Sequence, residues 1–153
     1  MSLESFSSGK AEIHFFCEEI EFELKNESTI INWISDVFHL EKKELDTLNY
    51  IFCSDKYLHE INLQYLNHDT LTDIITFPNS KKGKPISGDI FISIDRVIEN
   101  AKSFEASFEK ELLRVLIHGS LHLMGYKDKT EMEQTEMTTK ENLYIDYFSK
   151  NHS

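Results

Sequence analysis

The chain has 153 residues (18.0 kDa), 40% of them hydrophobic, with 11 Phe, 2 Pro and 5 Gly; this fits one folded domain and excludes a disordered, collagen-like or low-complexity chain. No apolar run approaches the roughly 18 residues of a membrane span, no secretory leader is visible, and two lone cysteines, Cys17 and Cys53, make no disulfide framework, so buried thiols in a reducing cytoplasm are expected. The net charge of −11 argues at face value against nucleic acid, but residues 1–60 carry −8 of it and residues 61–126 only −1, which leaves room for a neutral or basic surface.

Residues 1–10 are small and polar and are expected to be flexible, with a single domain over 11–150. Residues 11–24 are aromatic and β-branched with partial alternation, which predicts one or two strands. Asn26 to Ser28 offer N-caps for a helix carrying Ile30, Ile34, Val37 and Phe38. Residues 47–53 alternate as a strand, and Ser54 and Asp55 can cap a helix with Leu58, Ile61 and Tyr65. Ile74, Ile75 and Phe77 predict a short strand ended by Pro78, and residues 79–86 a loop with Lys81, Lys82 and Lys84. Residues 88–94 read as a strand and about 95–104 as a short helix. A longer helix over 108–124 carries Leu112, Leu113, Leu116, Ile117, Leu121 and Met124, and Gly125 is placed to stop it. Thr130 and Glu133 form a capping box for a last helix to about Phe148. Trp33 and the aromatics of residues 15–22 are assigned to the core. The expected class is α+β: one mixed sheet of about four strands with helices packed over it.

The chemistry is concentrated in residues 118–128. His118 and His122 are four apart on a helix, so their imidazoles project from one face. That spacing lets two nitrogens share one tetrahedral ion. Gly125 turns the chain back, and Asp128 can bring a third ligand. Two His and one carboxylate leave a fourth position open, as in catalytic rather than structural zinc sites. Two histidines at this spacing are more often ordinary surface or core residues. An apolar helix around them, where unpaired imidazoles are costly to bury, and the glycine turn with its acid shift the balance towards ligation. The spacing resembles that of the metzincin proteases, but Gly119 stands where those enzymes place a glutamate base.

The segment His118-Gly119-Ser120-Leu121-His122-Leu123-Met124-Gly125-Tyr126 resembles the signature HGxLHLxGYDH of the YbeY family, bacterial zinc-dependent endoribonucleases of ribosomal RNA maturation and ribosome quality control. Thr72-Asp73-Ile74-Ile75-Thr76-Phe77-Pro78 resembles the family's TDVLSFP, and Ser87-Gly88-Asp89-Ile90 its LGDI, so the likeness covers about residues 11–148. The resemblance implies a metal-dependent endoribonuclease with one zinc ion or another divalent metal, with ribosomal RNA or the small ribosomal subunit as partner and no membrane. It also implies that Thr72, Asp73, Thr76, Phe77, Pro78 and Asp89 shape the cleft around the metal.

Two positions depart from the family. Asp128 stands in place of the last histidine ligand; aspartate keeps the ligand count at three, but its charge partly neutralises the ion and favours a harder metal. Leu66 stands where the family carries an arginine that faces RNA phosphates. Arg114, one turn before His118, is the candidate replacement; its plain alternative is a surface ion pair with Glu111. His68, Lys81, Lys82 and Lys84 are further candidates for phosphate contact, the lysines more simply as solvated surface. Two other functions stay open: a metalloprotease taking its base from elsewhere in the fold, and a ribosome-associated module whose metal is structural.

Overall fold

The computed structural model describes residues 11–66 and 72–152; the expected flexible segment 1–10 and the candidate His68 lie outside them. In chain order the elements are β1 (Glu12–Glu18), α1 (Glu27–Leu40), β2 (Leu45–Cys53), α2 (Asp55–Leu66), β3 (Ile74–Pro78), β4 (Ile86–Ser93), α3 (Ile94–Ser103), α4 (Phe108–Met124) and α5 (Glu131–Asn151). The strands form one sheet in the order β1-β2-β4-β3, with β1, β2 and β4 parallel and β3 antiparallel to β4. This is the α+β fold with a mixed four-stranded sheet that the sequence predicts. None of the helices among the described residues is long and apolar enough to cross a membrane.

Side-chain alternation divides the sheet into two faces. One face presents Ile13, Leu48, Tyr50, Phe52, Ile90 and Ile92 to a core shared with α1, α3, α4 and α5. Trp33 of α1 is fully buried there, and its Nε1–H donates to the Tyr144 carbonyl of α5 at 2.8 Å. The other face is covered by α2, where Leu58 and Ile61 pack on Cys53 and Ile75. Burial pushes the Cys53 thiol up to about 12, so it behaves as a small apolar group.

Local signals account for most boundaries. Ser107 and Ser93 cap α4 and α3 by accepting from Lys110 N and Arg96 N. The Thr130–Glu133 capping box opens α5. Gly125 ends α4 at φ 113°, a conformation that favours glycine. Residues 19–24 differ from expectation: the strand stops at Glu18, because Glu19 turns into the left-handed region at φ 55°. Asn26 is also left-handed and makes no side-chain cap to α1. Phe15 and Phe22 pack against the core as expected, but Phe16, on the far face of β1, is 50% exposed, and Cys17 is exposed rather than buried.

The central contact is α4 on the sheet. A Cβ on Gly119 would lie 2.8 Å from Ile90 Cγ2 and 2.9 Å from Ile74 Cδ1. A Cβ on Gly88 of β4 would meet Leu123 Cδ1 at 2.7 Å. Two glycines thus let side chains press directly on backbone, Ile74 and Ile90 of the sheet on α4 and Leu123 of the helix on β4. Tyr50 locks the contact, its hydroxyl 2.5 Å from Ser120 Oγ in the buried layer. Gly119→Val should therefore destabilise the protein by about 1–3 kcal/mol through overpacking, read as a lower denaturant midpoint with unchanged slope.

Candidate metal centre

Gly119 faces the sheet, so His118 and His122 fall together on one flank of α4, about 100° and 60° around the helix from it. Both rings enter a cleft of about 590 Å³ between α4, α5 and the start of β3. Their centroids are 4.6 Å apart, at 76° to one another. The turn after Gly125 brings Asp128 back over them. Its Oδ2 lies 3.4 Å from His118 Nε2 and 3.3 Å from His122 Nε2. The three residues offer donor atoms that all lie within 4.8 Å of one another. Tetrahedral zinc with bonds of about 2.0–2.1 Å needs donors about 3.3–3.4 Å apart, so the two measured edges to Asp128 fit such an ion.

The sequence reading missed Glu141. It lies on the buried stripe of α5 with Met137, Tyr144 and Ile145. Its Oε2 is 2.6 Å from His118 Nδ1, and its Oε1 accepts from Arg114 Nη1 at 2.9 Å. A carboxylate on Nδ1 holds the proton there and leaves Nε2 free to ligate, the usual role of such partners in metal sites. Burial by itself would lower the His118 imidazole, but the Glu141 hydrogen bond, with the Glu141, Asp128 and Asp73 charges, raises it. An acid on an otherwise apolar helical stripe was the signal available in the sequence.

Arg114 does line the cleft. Its ion-pair partner is Glu141, not the Glu111 of the plain alternative, and Nη2 donates to Asn142 at 2.8 Å. Thr72, Asp73 and Thr76 line the cleft, as the resemblance implied. Asp89 is a correction: it sits within β4, accepts from Asn49 Nδ2 at 3.0 Å, and borders a separate groove beside α2 together with Phe77. Leu66 and the three lysines of the 79–85 loop are exposed and do not line the metal cleft.

A second cluster fixes the turn that carries Asp128. Glu41, just past the end of α1, accepts from the Tyr126 hydroxyl at 2.6 Å, from Lys140 Nζ at 2.9 Å and from the Tyr144 hydroxyl. Burial raises the Glu41 carboxyl, but these hydrogen bonds and the lysine charge outweigh it and leave it below its ordinary value.

A family model described as Endoribonuclease YbeY matches residues 13–149. Relatives named Endoribonuclease YbeY include one from Amoebophilus asiaticus, 51% identical over 89% of this chain and 92% of the relative. Another, from Flavobacterium johnsoniae, is 53% identical over 87% of this chain and 95% of the relative. A solution structure of a Thermotoga maritima protein superposes with a TM-score of 0.58 at 31% identity, covering 92% of this chain and 94% of that one.

Two measurements follow from this geometry. Glu141→Gln should weaken metal binding about 10- to 100-fold in a chelator competition, as expected when the carboxylate behind a ligating histidine is lost. Glu41 is held charged by folding, so its contribution to stability is present above its unfolded value and is lost as pH falls through its folded value. Glu41→Gln should thus be less stable at neutral pH, and its deficit should shrink in acid. A deficit that stays constant with pH would contradict the assignment.

Proposed function

The chain belongs to the YbeY endoribonuclease family, and on that premise we propose that it cuts single-stranded ribosomal RNA in the cytoplasm with a divalent metal, zinc by expectation, held by His118, His122 and Asp128. The observation that carries this reading is the donor set itself: two imidazole nitrogens 3.3 and 3.4 Å from one carboxylate oxygen, at the wall of an open cleft. Residues 11–150 are taken as one hydrolase domain.

A divalent ion bound there supplies Lewis acidity towards a phosphoryl oxygen and lowers the pKa of water. The chain's own residues do the rest. Glu141 orients His118, and Arg114 holds Glu141 in place. Arg114 also presents to a phosphate the guanidinium edge that Glu141 and Asn142 leave free. Thr72 and Thr76 line the opposite wall, where hydroxyls can meet the RNA backbone.

Neither alternative is favoured. A metzincin-type base would have to stand at position 119, whose Cβ direction is filled by Ile90 and Ile74. A structural metal calls for a closed sphere, whereas the set found among the described residues has three donors and faces a cleft.

Purified protein should contain about one divalent ion per chain by elemental analysis. RNA cleavage should vanish on chelation and return with the metal. His118→Ala and Asp128→Ala should each lose most of the metal; full occupancy in both variants removes these residues from the site. Arg114→Ala should slow RNA cleavage about 10- to 1000-fold, in the range for loss of one charge contact in the transition state; an unchanged rate makes Arg114 a bystander.

A further inference from the structure

The cleft poses a charge problem. Asp73, Glu111, Asp128 and Glu141 all line it, against the single guanidinium of Arg114. Arg114 is already paired with Glu141. One divalent ion at the histidines together with Arg114 leaves four carboxylates one charge in excess. RNA brings further negative charge, and its binding depends on cations that neutralise phosphates.

Glu111 is the residue that the metal centre leaves unexplained. It lies seven residues before His118, two turns along the same face of α4, and is only 5% exposed. Among the described residues its carboxyl has no hydrogen-bond or salt-bridge partner, although buried carboxyls are ordinarily paired. It borders the cleft. Asp73, across the cleft just before β3, has one side-chain partner, a long 3.4 Å approach from Asn100 Nδ2, besides a hydrogen bond from its own backbone. Both carboxyls are raised from their ordinary values, foremost by burial, which outweighs the lowering charges of Arg114 on Glu111 and of His118 and Arg96 on Asp73. The arginines nearest them are engaged elsewhere, Arg114 with Glu141 and Arg96 with Asp55, so two desolvated acids facing one cleft are what an incoming cation would relieve.

We propose that Asp73 and Glu111 form a second cation site, which takes a hydrated divalent ion of the magnesium class together with the RNA phosphate. Magnesium is typically held by one or two carboxylates plus substrate phosphates and retained waters, not by a full protein cage. Two carboxylates therefore suffice once RNA is present. The ion reverses the sign of the cleft at the place where the polyanion must enter. Paired divalent ions are a recurrent arrangement in phosphodiester cleavage. The proposal rests on the metal-nuclease reading for its substrate but not for its ion, so the two can fail separately.

The test uses the full-length protein saturated with zinc and a nuclease-resistant single-stranded oligoribonucleotide. Manganese, visible by electron paramagnetic resonance, serves as the probe for magnesium. The complex should take up about one manganese ion, displaceable by magnesium but not by sodium at equal ionic strength. Glu111→Gln, which preserves shape, should weaken that binding about 10-fold or more. Asp73→Asn should do the same if it folds, as judged by circular dichroism; if it does not, Glu111→Gln decides. Manganese binding should persist in His118→Ala. The proposal is overturned if the complex takes up no manganese, if Glu111→Gln binds it as tightly as the parent, or if binding is lost in His118→Ala and kept in Glu111→Gln, which would place the ion among the histidines. Failure of the purified protein to hold zinc or cleave RNA sinks the proposed function instead, and leaves the manganese result readable.

Discussion

The close approach of α4 to the sheet is the constraint on which the rest depends. Gly119 and Gly88 leave room for Ile74 and Ile90 of the sheet and Leu123 of the helix to pack directly on the facing backbone. A helix turns about 100° per residue, so pressing position 119 onto Ile74 and Ile90 commits positions 118 and 122 to the cleft. The same rotation places Glu111, Arg114 and Val115 along that wall. A bulkier residue at 119 would push the helix outward and move both imidazoles with it. The glycine that deprives a protease of its base is here the residue that aims the histidines.

A further wall is α5, which contributes charge through Glu141. Glu141 is buried and acceptor-rich, and it stands between a guanidinium and an imidazole. Removing either neighbour would leave a desolvated carboxylate, the costly case for buried ion pairs. The Arg114–Glu141–His118 chain therefore couples the docking of α5 to the position of the His118 imidazole. Glu41 repeats the device at the far end, where it gathers Tyr126, Lys140 and Tyr144 from the turn and from α5.

Much of this was legible in the sequence because the signals are local. The bounds of α4, its glycine stop and the capping box of α5 follow from spacing and cap chemistry, and the structure has them as expected. The signature also names His118 and His122, Asp128 stands at the position of its last histidine, and the chain folds so that their donors converge. What was not legible depends on which element docks where. Glu141 reads as one more acid on an acidic helix until α5 is laid beside His118. Asp89 reads as a turn residue beside the metal, yet its strand register turns it towards Asn49 on β2. Phe16 and Cys17 share an alternating strand with buried neighbours, but alternation does not say which stretch of a face another element covers.

The bridge between Trp33 and Tyr144 spans 111 residues of chain, and that between Glu41 and Lys140 spans 99. Contacts this distant in sequence close late, because loop entropy must be met before they form. Asp128 and Glu141 both lie in the last 26 residues. During synthesis His118 and His122 therefore leave the ribosome before Asp128 and Glu141, the acids that meet their rings. A product truncated before α5 would carry the histidines without the carboxylate that holds the first of them.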